Sequence, residues 1–362
     1  MKIGIVQDGA SSSAEGTATV RRMDELIEEA VFAEEMGFDF YGLAEVHFSP
    51  EMTVSSPEVI LGFIAARTSR IKLRFVSMPL LAFNHPIRVA ERIATLDVLS
   101  HGRIELGAAR SNQAHTIEAF QVPVDKTREQ FVESIEIILN ALSNDTFEHD
   151  GAHWTIPERS LFPKPVQRPH PPLFASATSA GTHRFAGEQG LGVMSGNSLS
   201  GGWDYVQQCV DLYRESWQDA APRGRATNAT FSALALRAHC AETNEQAQAE
   251  ASETAFATVD LVMRWYSKIA EESPDYAYMA EFTSLEAHRR DLPFLIERAP
   301  YLTIGDPDFF VERIHRLEEM GVDELILEID GMGHEKHMQA IELVGRHVLP
   351  QVRTSDSHGQ AA

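Results

Sequence analysis

Two arginines and a hydroxyl-rich turn are the residues of this chain best suited to hold an anion. Arg110 can reach a phosphate with two parallel N–H donors, and Arg128 opens the next predicted helix. Thr178-Ser179-Ala180-Gly181-Thr182 stands where a predicted strand turns into a helix. Its hydroxyls, the free N–H groups of a first helical turn and the helix dipole together form a phosphate cradle. N-capping by Ser179 and Thr182 is the simpler reading of the same turn, and both stand at this point. Other chemistries lack their signatures. HxH, HExxH and G-x-S-x-G are missing, and Cys209 and Cys240 form no CxxC pair. The pairs His149/His153 and His334/His337 fall in polar, loop-like stretches, so no metal site is expected.

The elements that must position these residues follow one repeated pattern. Ala30–Glu45, Arg184–Ser195 and His315–Asp330 each read as an apolar-faced helix, a glycine and an apolar strand. Gly37, Gly190 and Gly321 sit where a helix needs a left-handed C′ residue. A helix feeding a strand through so short a loop is half of a βαβ unit. Eight strands are expected: Ile3–Gln7, Phe40–Glu45, Ile71–Met78, Arg103–Ala109, Leu173–Ala177, Gly192–Ser195, Phe231–His239 and Glu324–Asp330. Ile87–Leu99 and Arg128–Leu142 carry apolar residues at helical spacing between them. Eight strands in βα order favour a closed (β/α)8 TIM barrel, an α/β fold, over an open sheet. No G-x-G-x-x-G follows an early strand, and there is no P-loop.

In such a barrel the chemistry stands at the carboxyl ends of the strands. There the residue types turn polar: Gln7 and Asp8, Glu45 and His47, Ser77, Arg110 to Asn112, Ser176 and Thr178, Ser195 and Asn197, Arg237 and His239, and Asp330. A plain barrel needs about 250 residues, so roughly 100 of the 362 are insertions at the C-terminal rim. Asn144–Pro172, Asn197–Asn228 and Ala241–Asp323 are the long connections. Glu271–Arg298 reads as a lid or as internal disorder. One domain over 1–353 and a flexible polar tail over 354–362 are expected.

The charge balance of 31 Lys plus Arg against 53 Asp plus Glu, −22 net, argues against nucleic acid or an anionic membrane as partner. MKIGIVQDGA reads as a first strand, not a signal peptide, and no run of 18 apolar residues follows. A cytoplasmic protein is expected.

Several phrases, in order, resemble the bacterial-luciferase-like flavin monooxygenases. They are AEEMGFDFYGLAEVHF (33–48), NHPIRVAERIATLDVLSHGRIELGAAR (84–110), the Arg128 helix, LFASATSAGTHRFAGEQGLG (173–192) and GDPDFFVERIHRLEEMGVDELIL (305–327). The D-x-x-S-x-G-R run from Asp97 to Arg103 is the most specific of them. The resemblance implies FMN phosphate contacts at Arg110, Arg128, Ser179 and Thr182, the residues already singled out for anion binding. It also implies a flavin resting on a non-proline cis peptide, mapped to Ser77–Met78. The chain departs from luciferases in two places. Glu45-Val46-His47 keeps only the second of two histidines, and Ala109 replaces a cysteine, which argues against light-emitting aldehyde oxidation.

What the resemblance implies is an FMN-dependent, two-component monooxygenase. Reduced FMN would come from a separate flavin reductase and react with O2 to give a C4a-(hydro)peroxyflavin, which oxygenates a small apolar organic substrate. His47 is the candidate for hydrogen bonding or proton transfer, Glu45 orients its neighbours, and His85 is a turn residue. A homodimer is expected by the same resemblance. A deazaflavin-dependent oxidoreductase and a non-catalytic flavin-binding barrel are the alternatives.

Overall fold

The computed structural model describes residues 1–10, 16–49, 52–196, 201–218, 220 and 227–355. Its strands are β1 (Lys2–Gln7), β2 (Phe40–Leu43), β3 (Lys72–Pro79), β4 (Ile104–Ala109), β5 (Phe147–Asp150), β6 (Thr155–Arg159), β7 (Leu173–Ala177), β8 (Gly192–Ser195), β9 (Phe231–Ala235), β10 (Arg237–Cys240), β11 (Leu302–Gly305) and β12 (Glu324–Glu328). Eight of them close a barrel in the order β1-β12-β9-β8-β7-β4-β3-β2. Every pairing in it is parallel. The expected (β/α)8 barrel is therefore present, with strands buried on both faces as a parallel sheet requires. Gly37, Gly190 and Gly321 all take the left-handed conformation, with φ of 90°, 70° and 87°.

The barrel interior holds an ion triad. Arg74, fully buried on β3, donates to Glu105 Oε2 at 2.7 Å and to Glu324 Oε2 at 2.8 Å. Its guanidinium is sandwiched between the rings of Phe40 at 3.9 Å and Phe174 at 4.1 Å. Two glycines make room for those rings. A Cβ on Gly4 would lie 2.2 Å from Phe40, and one on Gly192 would lie 2.5 Å from Phe174.

Four expectations are changed or resolved. The single strand Phe231–His239 divides at Leu236: β9 stays in the barrel, while β10 leaves it to pair in parallel with β11. No Gly or Pro marks the division, so the run reads as continuous in sequence. Asn144–Pro172 contains the antiparallel hairpin β5–β6, which was not expected. Glu271–Arg298 is ordered, with 3₁₀ turns over Pro274–His288 and a helix at Leu292–Arg298. Tyr276, Met279, Phe282 and Leu285 bury one side of these turns in a second apolar cluster, together with the helix Asn244–Glu272. Thr354 and Ser355 end a helix instead of beginning the tail. Residues 356–362 and Asn197 lie outside the described residues. Among the described residues, no helix is long and apolar enough to cross a membrane.

Candidate active site

A cavity of about 800 Å³, its open mouth included, sits at the carboxyl ends of the barrel strands. Asp8, Glu45, Ser77, Arg110, Ser176 and Thr182 reach it from the rim. Trp265, Tyr276, Tyr278 and Met279 close it from the long insertion. Ala44, Val46, Val76, Pro79 and Ala109 add apolar lining from the barrel side.

Arg110 follows directly on β4, and only 10% of its side chain is exposed. The guanidinium lies 4.6 Å from the ring centre of Tyr276. That ring is fixed by its own hydroxyl, which bonds Thr127 Oγ1 and donates to Ser111 O, each at 3.1 Å. Arg110 Nη1 is buried with no hydrogen-bond partner among the described residues. Its nearest anion is Asp275 Oδ2 at 3.6 Å, and the same oxygen lies 3.5 Å from Arg128 Nε. One carboxylate oxygen of the insertion therefore stands between the two arginines, too far away to hydrogen-bond Arg110 well.

Across the cavity, the helix Ala180–Gln189 starts at Ser179, whose Oγ accepts from Thr182 N at 3.3 Å and lies 3.1 Å from Thr182 Oγ1. Capping is real here; Thr182 lines the cavity, whereas Ser179 and Arg128, expected beside it, are not among its lining residues. His183 anchors the turn, with Nδ1 2.8 Å from Ser179 O and Nε2 2.9 Å from Ser195 Oγ. Burial lowers His183 to about 4, so the ring is neutral. A buried bare donor on Arg110, a second arginine and a hydroxyl-capped helix start fit a phosphate monoester. Removing the competing carboxylate should show this. Asp275→Asn is expected to tighten FMN binding about two- to fivefold, the scale of a half-exposed ion pair, and to leave phosphate-free riboflavin unaffected. Weaker FMN binding by fluorescence titration would make Asp275 a contributor to the site instead.

Two sequence expectations are corrected here. The non-proline cis peptide is Val76–Ser77, one residue earlier than Ser77–Met78. The β3–β4 register breaks between Phe75 and Met78, and Met78 rejoins the ladder opposite Ala108, so the irregular residues are Val76 and Ser77. Met78 itself is fully buried in the barrel core and its side chain does not line the cavity. His47 does not line it either. Its ring packs against Phe83 and Phe120 at 5.7 and 5.1 Å. His47 Nε2 lies 2.9 Å from Glu45 Oε1, which also accepts from Asn84 Nδ2 at 2.7 Å. Glu45 is the group that meets the cavity, and its Oε2 is buried without a hydrogen-bond partner among the described residues. Asp8, Asp275 and Tyr276 are further functional candidates. Asp8 was visible as a polar strand end, whereas the two insertion residues carried no local signal.

A family model described as luciferase-like monooxygenase matches residues 1–324. The oxygenase component of a flavin-dependent trigonelline monooxygenase from Acinetobacter baylyi is 25% identical over 90% of this chain and 89% of its own length. An uncharacterised protein of Sinorhizobium fredii is 30% identical over 61% of this chain, and the match spans only 62% of that relative. Among solved structures, the oxygenating constituent of 3,6-diketocamphane monooxygenase from Pseudomonas putida, in complex with FMN, superposes with a TM-score of 0.77 at 20% identity, over 97% of this chain and 98% of that one. A coenzyme F420-dependent tetrahydromethanopterin reductase from Methanopyrus kandleri superposes at 0.73, also at 20% identity, over 97% of this chain and 99% of that one. At these identities both structures speak for the fold alone.

Proposed function

The chain belongs to the luciferase-like monooxygenase family, and on that footing we propose that it is the oxygenase of a two-component FMN-dependent system. The observation that carries the choice of FMN is the anion-binding set at the rim: bare Arg110 Nη1 and Thr182, from the Ser179-capped helix start, belong to one cavity, with Arg128 beyond Asp275. Arg110 and Arg128 hold the phosphate by charge, and Ser179 and Thr182 complete its hydrogen bonds. Ser77, on the irregular turn of β3, lines the same cavity and would border the flavin. Reduced flavin, once bound, supplies the electrons and the oxygen-activating chemistry.

The protein's own part is to orient and to exclude water. Tyr276, Tyr278 and Met279 shield the cavity from the insertion side. His47 acts through Glu45, keeping Oε1 engaged while Oε2 stays free of any described partner, and it is a positioning residue. A small organic molecule is the substrate, and a flavin reductase is the electron-supplying partner.

With FMN present, the purified chain is expected to leave NADH and NADPH unoxidised until a flavin reductase is added, because no dinucleotide fingerprint exists. Substantial turnover of either nucleotide by the chain alone would refute the two-component reading. Binding of a deazaflavin in preference to FMN would move the chain to hydride transfer without O2.

A further inference from the structure

Three neighbouring strand ends bring carboxyl groups to one side of the cavity. The β1–β2 register, Gln7 opposite Leu43, sets Asp8 beside Ala44 and next to Glu45. The β1–β12 register, Val6 opposite Glu328, sets Asp330 on the other flank of Asp8. Asp330 is fully engaged. Its Oδ2 accepts from Asp8 N at 2.9 Å and Ala10 N at 3.0 Å, and its Oδ1 from Gly331 N at 2.8 Å and Arg22 Nη2 at 3.4 Å. It is a fixed anion.

Asp8 and Glu45 are different. The Asp8 carboxyl borders the cavity and accepts no hydrogen bond from a described residue. Glu45 brings a bare Oε2 to the same cavity on a side chain only 4% exposed. The cation behind them, Arg237, is already held by Glu328 Oε1 at 3.0 Å, Asp330 O at 2.7 Å and Thr258 Oγ1 at 2.8 Å. Arg110 is the cation among the lining residues, and it faces Asp275 and the phosphate position.

Arg110 is drawn toward Asp275, with or without a phosphate, so the opposite side of the cavity keeps the acidic character of Asp8 and Glu45. An anionic guest is repelled there. A neutral hydrocarbon offers the carboxyl groups no counter-charge. A cation satisfies the acidic end, and the aromatic residues Trp265 and Tyr278 line the same cavity, a residue type that attracts cations. We propose that the substrate presented to the flavin is a small cationic molecule, a protonated amine or an N-alkylated aromatic nitrogen, held between Asp8, Glu45 and the Trp265–Tyr278 wall. The word substrate rests on the flavin reading; the cation site does not.

The pH dependence has a defined sign. Burial first, then the Asp330 charge, push the Asp8 carboxyl up to about 7 against the pull of Arg237. The titratable and charged groups around it are Asp330 and Glu328 from the β12 side, the latter's carboxyl pushed well up by burial, Arg237 from β10 and Glu45 from the end of β2, with Arg22 and Glu29 behind Asp330. A bound cation favours ionised Asp8, so binding releases a proton and tightens as pH rises through neutrality.

The test compares N-methylpyridinium with its neutral isostere toluene and with anionic benzoate, by calorimetry on the chain with and without FMN. N-methylpyridinium is expected to bind about tenfold or more tighter than toluene, with benzoate weakest. Its affinity is expected to rise about tenfold between roughly pH 5.5 and 8.5. Asp8→Asn should flatten that rise, and Glu45→Gln should weaken the cation at both pH values. Equal affinity for cation and isostere, or a pH-independent preference in the native chain, would overturn the cation site. FMN titration is read separately: a chain that fails to bind FMN but prefers the cation refutes the flavin reading and keeps this one.

Discussion

Arg74→Met is expected to cost about 3–5 kcal/mol of stability, the scale on which removing one partner leaves a buried charge uncompensated. Methionine fills much of the space between Phe40 and Phe174 but leaves Glu105 without its cation and Glu324 with only the exposed Lys2, 3.6 Å from its other oxygen. The pH dependence identifies the cause. Although burial opposes it, Arg74 holds the Glu324 carboxyl below its ordinary value. That contribution is complete above the unfolded carboxylate range and is lost as pH falls through the lowered folded value. In the variant the same carboxyl is pushed upward, so acidification neutralises it and relieves the penalty. The gap between native chain and variant in denaturant melts should therefore narrow as pH falls. A gap that is small at neutral pH, or constant across pH, would show that the triad is not the source of the stability.

Arg110→Ala is expected to weaken reduced-FMN binding about 10- to 150-fold, the loss of a charge-assisted contact of about 1.5–3 kcal/mol. Riboflavin, lacking the phosphate, should lose much less. Tyr276 could shift once the guanidinium above its ring is removed, so a general loss of packing would weaken both ligands alike. The ratio between the two ligands carries the result. Equal losses would take Arg110 out of the phosphate site.

The barrel was legible because its signals are local. A glycine at a positive φ ends a helix, an apolar run of four to eight residues follows, and the pattern recurs. Ser179 as the start of a helix was legible for the same reason. The D-x-x-S-x-G-R run, the most family-specific phrase, serves the opposite end of the barrel from the chemistry. Asp97 Oδ2 accepts from Val166 N and Gln167 N, and Arg103 donates to the carbonyls of Ala65, Thr68, Ile71 and Ser100. What stayed hidden depends on closure. Asp8 and Asp330 are 322 residues apart and meet because β1 pairs with β12. Asp275 reaches Arg110 and Arg128 from an insertion without periodicity. The break in the β3 ladder, which moves the irregular peptide to Val76–Ser77, is set by pairing with β4 and has no composition of its own.

The central claim is that this cavity holds reduced FMN and controls its encounter with oxygen. It is tested most directly by loading the chain anaerobically with reduced FMN, mixing rapidly with O2, and following the flavin spectrum and hydrogen peroxide together. A protecting cavity predicts a transient that is neither reduced nor oxidised flavin, with peroxide released only as it decays. Reoxidation at the rate of free flavin, with peroxide appearing at once, would contradict the account.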